Sequence, residues 1–205
     1  MKLILASASP RRHEILTRAG IPHTVVVSQI DESPYYCDDP AQTVRRLALA
    51  KAGAAAALPG MEDCYVLGAD TVVYAGGETL GKPRDREDAY RMLQLLSGTS
   101  HEVLTGAAVL HGGREECAVV RTEVEFRTLS EEVLQQYLDS GEPYGKAGAY
   151  AIQERAGAFV KEVRGDFKNV IGLPLFAVLD ILTDVYGEPL SAILGTSSGI
   201  GREPV

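Results

Sequence analysis

Cysteine is scarce: Cys37, Cys64 and Cys117 are the only three, an odd number, far apart and in no ligand spacing. That excludes a disulfide framework and a cysteine-ligated zinc site, and it fits a reducing cytoplasm. Positive charge is also short, with 20 Lys and Arg against 28 Asp and Glu and a formal net charge of −8. Neither a nucleic-acid polymer nor an anionic membrane is therefore expected as the main partner, and any anionic ligand has to be met by a few placed cations. No long apolar run is present. After Lys2 only Leu3-Ile4-Leu5-Ala6 precede Ser7-Ala8-Ser9-Pro10-Arg11-Arg12, too short for a signal sequence or a membrane span, so a soluble cytoplasmic protein is expected. There is no internal repeat, no low-complexity tract beyond Ala54-Ala55-Ala56-Ala57, no His/Cys metal set and no Ser–His–Asp signal. What is there is 205 residues at 45% hydrophobic, enough to bury a sizeable core in one globular unit.

One carboxylate stands out. Val66-Leu67-Gly68-Ala69-Asp70-Thr71-Val72-Val73-Tyr74 reads as a buried, β-branched strand with an acid at its centre. An ionised Asp in that setting costs several kcal/mol unless it is paired, hydrogen-bonded or metal-bound. Its flanking residues offer no partner, so one must come from elsewhere in the chain or from solution. The other reading ends the strand at Gly68 and makes Asp70-Thr71 a turn.

The remaining elements follow in order. Residues 2–6 read as a short strand, after which Ser9 as N-cap and Pro10 at the first position open a helix to Ala19, stopped by Gly20. Arg11 and Arg12 then sit in its first turn, where the helix dipole disfavours cations. They are either solvated or part of an anion site at a helix N-terminus, with the hydroxyls of Ser7 and Ser9 alongside. Residues 25–27 form a second strand candidate, and Asp31-Glu32 lie in the loop beyond it. Asp39 and Pro40 open a helix to about Leu58, with Lys51 on its apolar stripe beside Val44, Leu47 and Ala48. That lysine either snorkels or meets phosphate in a cleft.

Gly76-Gly77 makes a hairpin turn leading to Gly81-Lys82-Pro83. Residues 76–82 spell the start of a phosphate-binding P-loop, but Pro83 stands where the magnesium-binding Ser or Thr is required, and that reading is rejected. A helix at 85–96, strands at 101–110 and 117–128, and a helix capped by Ser130 come next. The strand at 117–128 alternates apolar and charged residues, the mark of antiparallel pairing with one wet face. The glycine-rich 141–153, carrying Lys146 and Gln153, suits close approach to a ligand. Residues 158–160 read as a strand, 165–170 as a turn, and Leu173-Pro174 as the opening of a last helix to about Tyr186. Residues 191–205 are expected to be a flexible tail. Its Gly195 to Gly201 imitates a dinucleotide-binding glycine pattern without the chain needed for the following helix.

An arginine pair at a helix start, isolated lysines, and the acids Glu32 and Asp70, without a His/Cys set, favour a hard cation such as magnesium bridging carboxylates and a polyphosphate. The reaction class is metal-assisted hydrolysis of a phosphoric anhydride, in which a carboxylate orients or deprotonates water.

Taken together, Leu5-Ala6-Ser7-x-Ser9-Pro10-Arg11-Arg12, Asp31-Glu32, Gly68-Ala69-Asp70-Thr71, Gly81-Lys82-Pro83, Ser97-Gly98-x-x-His101, Glu142-Pro143-x-x-Lys146-Ala147-Gly148-Ala149-Tyr150-x-Ile152-Gln153 and Val170-Ile171-Gly172-Leu173-Pro174-Leu175 resemble the Maf family of nucleoside triphosphate pyrophosphatases. The resemblance implies an α/β fold like that of the inosine triphosphate pyrophosphatases, with a curved mixed β-sheet, flanking helices and two lobes around a cleft, in one domain over 1–190. It implies cleavage of a nucleoside triphosphate to monophosphate and pyrophosphate with a divalent cation, magnesium or manganese, and a homodimer. It makes Asp70 the proton acceptor, Glu32 and Asp70 the metal ligands, and Ser7, Ser9, Arg12, Lys51, Lys82 and Lys146 the substrate contacts. Arg11, Thr71 and Gln153 match the positions that separate subtypes, in the combination of the branch acting on dTTP and UTP rather than on 7-methyl-GTP. Gly145 and Glu154-Arg155 depart from the family pattern. The alternative is a non-catalytic nucleotide-binding regulator of cell division, which could dispense with Asp70.

Overall fold

The computed structural model describes residues 1–27 and 29–195. Its strands are β1 (Leu3–Ala6), β2 (His23–Val25), β3 (Tyr65–Ala75), β4 (Glu78–Leu80), β5 (Ser100–His111), β6 (Arg114–Phe126) and β7 (Val160–Arg164). Its helices are α1 (Pro10–Arg18), α2 (Pro40–Ala56), α3 (Arg86–Leu96), α4 (Glu131–Asp139), α5 (Phe167–Ile171), α6 (Leu175–Asp180) and α7 (Leu190–Ile193). The strands form one mixed seven-stranded sheet in the order β2-β1-β3-β5-β6-β7, with β4 paired to β3. Only β1 pairs in parallel, with β2 and β3; all other pairs are antiparallel.

β3 and β5 are the long shared spine, in register from Val66↔Leu110 to Tyr74↔Glu102. Alternate residues of β3 face opposite layers, as the two-residue strand period requires. Leu67 and Ala69 pack with Leu16 of α1 and Leu175 and Val178 of α6, while Val66 packs with Ala48, Ala52 and Ala55 of α2. Further along, Val73 and Ala75 enter a separate core built with α3, α4, Phe126 and Tyr150. Two cores thus share one pair of strands, and Asp70 lies where the first gives way to the second.

The approach of α2 is set by glycine. A Cβ on Gly68 would come 2.3 Å from the Ala48 carbonyl oxygen, and one on Gly106 would come 2.3 Å from that of Val44. With only hydrogen at these positions the helix backbone lies directly on the sheet. Asp39 starts that helix as expected, its Oδ1 accepting the Ala41 amide at 2.8 Å.

Asp70 and Thr71 are interior to β3, as the strand reading of that stretch expects, and the alternative of a turn there is excluded. Several other expected boundaries move. The strand expected at 25–27 is β2 at His23–Val25, and the one expected at 158–160 is β7, preceded by a 3₁₀ turn at Arg155–Phe159. The turn expected at 165–170 contains α5. Asp166 nucleates it, Oδ1 accepting the amides of Lys168 at 2.7 Å and Asn169 at 3.2 Å. The last expected helix is α6 continued by a wider π turn at Ile181–Val185. Beyond it α7 crosses the expected start of the tail, and Ile193 is fully buried, so packed chain runs past residue 190. The rest of that tail, from 196, lies outside the described residues. Among the described residues no helix is long and apolar enough to cross a membrane.

Candidate active site

The site begins as a gap in the sheet. β1 pairs with β3 only as far as Ala6↔Gly68, and β4 joins the same edge from Val73↔Leu80 onward. Residues 69–72 of β3 are left without a neighbour on that edge, and a cleft of about 810 Å³ opens there between the two cores.

Asp70 and Thr71 stand side by side in this gap and send their side chains to opposite layers. Asp70 faces α2, where Lys51 lies one turn beyond Ala48. The Lys51 ammonium contacts Asp70 Oδ1 at 2.6 Å and Glu32 Oε1 at 2.9 Å. The Lys51 and Asp70 side chains are only 14% and 11% exposed, against 40% for Glu32. The partner that the sequence demanded for Asp70 is this lysine, delivered by the close packing of α2. Tyr36 lies at the same rim, and partial burial, then the negative charges of Asp70 and Glu32, push its hydroxyl above its ordinary value.

Thr71 faces α1. Arg12 donates from Nε to the Gly172 carbonyl at 2.8 Å, from one terminal nitrogen to Ser7 Oγ at 3.1 Å and from the other to Thr71 Oγ1 at 3.1 Å. Thr71 is in turn 2.9 Å from the Thr105 hydroxyl across the sheet, and Thr105 donates to the Asn169 carbonyl at 3.1 Å. The guanidinium thus fastens α1 to β3 and to the end of α5. Burial lowers its pKa, Asp70 opposes that, and Arg11 adds to it; an arginine begins so high that it stays charged. Ser9 occupies the N-cap position of α1, yet its hydroxyl caps nothing and lines the cleft. The adjacent Arg11 has its Nε buried without a hydrogen-bond partner.

The opposite wall is the segment 142–156, clipped at its neck by Glu142. That carboxylate accepts from the Tyr137 hydroxyl at 3.0 Å and from the amides of Arg155 and Ala156 at 3.3 Å each. Lys146 donates to the Glu142 carbonyl at 2.5 Å and pairs with Glu154 at 3.3 Å. Ala149 holds φ +61°, a left-handed conformation unusual for a residue with a Cβ. Tyr150 beside it lies 2.8 Å from Nε2 of the buried His101, whose pKa burial depresses to about 4. Lys82 and Gln153 are exposed on the cleft lining.

Ser7, Ser9, Arg11, Arg12, Glu32, Lys51, Asp70, Thr71, Lys82, Lys146 and Gln153 all line this one cleft. Sequence reasoning did not single out Tyr36 or Tyr144, which line it too, as does Glu154, noted only as a departure from the family pattern. Nothing in their local sequence distinguishes them from surface residues. Of the three Arg12 acceptors, the Gly172 carbonyl was also missed, since a backbone carbonyl carries no side-chain signal.

A family model described as Maf-like protein matches residues 2–185. The chain belongs to the Maf family. It is 50% identical over 190 residues to a dTTP/UTP pyrophosphatase of Symbiobacterium thermophilum, covering 92% of this chain and 96% of that protein. Over 193 residues it is also 50% identical to a dTTP/UTP pyrophosphatase of Moorella thermoacetica, covering 91% and 98%. A protein of the same name from Vibrio cholerae is 46% identical over 181 residues, covering 88% and 96%. The mixed sheet flanked by helices agrees with the α/β fold expected of a Maf protein.

The Maf cleft has few candidate metal ligands. Among the described residues no group of three or more His, Cys, Asp or Glu is placed to hold a metal ion. Glu32 and Asp70 supply two carboxylates, a donor set that fits magnesium completed by phosphate oxygens and water, and does not fit an all-protein cage.

Proposed function

We propose that this protein hydrolyses dTTP and UTP to the monophosphate and pyrophosphate by attack of water at the α-phosphorus. The observation that carries the reading is the position of Asp70 between two sets of cations. Asp70 is the one acid in the gap of the sheet, 2.6 Å from Lys51, and the cleft around it also holds Arg11, Arg12, Lys82 and Lys146. A triphosphate laid along those cations brings its α-phosphorus toward a carboxylate that orients water and accepts its proton. Asp70 is assigned that part. Lys51, Lys82 and Lys146, with Arg12 and the Ser7 and Ser9 hydroxyls, are assigned to the phosphates as charged and neutral hydrogen-bond donors. A divalent cation, magnesium or manganese, held by Glu32 and Asp70, supplies charge neutralisation on the polyphosphate when bound. Arg11, Thr71 and Gln153 are assigned to base selection. The names and extents of the relatives support the substrate pair.

The test is product analysis with dTTP and UTP in heavy-oxygen water. Monophosphate and pyrophosphate should form in equal amounts, with the label in the monophosphate. Label in pyrophosphate would place attack on the β-phosphorus, and diphosphate with orthophosphate would place it on the γ-phosphorus; either result overturns the assignment.

A further inference from the structure

Lys51 makes a contact that a pure phosphate ligand would not make. Its ammonium lies between both candidate metal ligands, 2.6 Å from Asp70 and 2.9 Å from Glu32. It therefore occupies the place a dication would take to reach both acids. The Arg12 charge also acts on Asp70, but its guanidinium is anchored to Gly172, Ser7 and Thr71 and touches neither acid. Tyr36 faces the acids with a neutral hydroxyl. One ammonium on two carboxylates leaves a single negative charge, and a dication added to that set would stand beside the ammonium with net positive charge and a strong mutual repulsion in a mostly desolvated corner. The tetra-anionic triphosphate offers the ammonium another position.

We infer that Lys51 is the resting counter-ion of Glu32 and Asp70 and excludes a divalent cation from them until a triphosphate draws it away. Metal and nucleotide then bind with positive coupling, because each favours the state in which Lys51 has left the acids, and the coupling is reciprocal. The inference rests on the proposed function for the identity of the ligand, but its test contains no nucleotide, so the two can fail separately.

The nucleotide-free protein is titrated with Mn²⁺, free metal being read from its paramagnetic resonance signal. Lys51→Met should bind at least about fivefold more tightly than wild type, the lower end of typical coupling. Lys82→Met removes the same charge from the cleft without touching either acid, and should change the affinity by less than ~2-fold, as expected of an exposed, screened charge. Unchanged or weaker binding by Lys51→Met, or an equal gain in Lys82→Met, overturns the inference. In wild type, where folding is not at stake, Lys51 acylation by acetic anhydride should quicken at Mn²⁺ concentrations that fill the site. A rate that Mn²⁺ leaves unaltered overturns it as well.

Discussion

Replacing Asp70 by Asn keeps the side-chain shape and removes its charge and basicity together. Turnover should fall by roughly 10²–10⁴, the usual worth of a positioned base, while nucleotide binding measured by calorimetry persists. Near-normal turnover would reduce Asp70 to a structural counter-ion for Lys51. His101 is the other residue whose environment makes a measurable demand. Burial depresses its pKa from 6.5 to about 4, and it faces the Tyr150 hydroxyl, whose own pKa burial raises, so it is neutral in the folded protein. The unfolded chain binds the proton first, so stability contributed by neutral His101 is complete above pH 6.5 and is lost as pH falls toward 4, by up to about 1.4 kcal/mol per pH unit. Asp88, held low mainly by the Arg84 side chain, acts only below its ordinary value near 3.8. Urea unfolding at pH 7 and pH 5 should therefore show a loss of ~2 kcal/mol in wild type that His101→Phe largely abolishes. Equal losses in both proteins would place the pH sensitivity elsewhere.

Among the elements, α2 carries the strongest dependence on sequence detail. The Val44 carbonyl oxygen lies 2.3 Å from where a Gly106 Cβ would stand, and backbone cannot step aside as a side-chain tip can. Gly106→Ala should force the helix off the sheet, costing about 1–3 kcal/mol in urea unfolding and lowering turnover because Lys51 moves with it. A variant with unchanged melting and turnover would mean that α2 lifts freely. Elements of this kind were legible where capping and stop signals bracket them. Asp39-Pro40 opens α2, Ser130 caps α4 with its hydroxyl oxygen accepting the Val133 amide, and Gly76-Gly77 turns β3 into β4. The failures have two causes, tertiary context and elements too short to show a period. Residues 25–27 have the strand composition, yet of them only Val25 pairs in register with β1, at Leu5; Val26 still donates its amide to the Leu5 carbonyl at 3.0 Å, and the strand ends there. Helix α5 was hidden because its five residues are too few to show a period, although Asp166 gave the cap. Helix α7 is likewise four residues, fixed by burial of Ile193 rather than by local preference.

At the scale of the whole molecule, the site was legible as a set of residues and not as an arrangement. The isolated acid in an apolar strand, the arginines in a first helical turn and the lysine on an apolar stripe each broke a local rule, and all now line one cleft. What no local rule could supply was the gap between β1 and β4 that lets them meet, since it depends on where two short strands stop along a third. The proposed base selection would depend on that cleft as a whole. Gln153 is exposed on its wall, and among the described residues its amide has no hydrogen bond to hold it in one sense. An amide presents a donor and an acceptor, which matches N3–H beside a carbonyl in uracil and thymine, and cytosine reverses that pattern. On the proposed assignment, an amide without a fixed orientation would gain selectivity only when the bound base is already placed by the cations on its phosphates. The expected discrimination is thus modest: kcat/KM for dTTP and UTP should exceed that for CTP and 7-methyl-GTP by at least about tenfold, well below what rigid buried readout reaches. Gln153→Ala should bring the dTTP to CTP ratio to within about threefold while leaving pyrophosphate as the product, because a wall without matched polar groups discriminates by little more than shape. Steady-state kinetics on the four nucleotides decides it, and a ratio that survives Gln153→Ala would move base selection to Arg11 and Thr71.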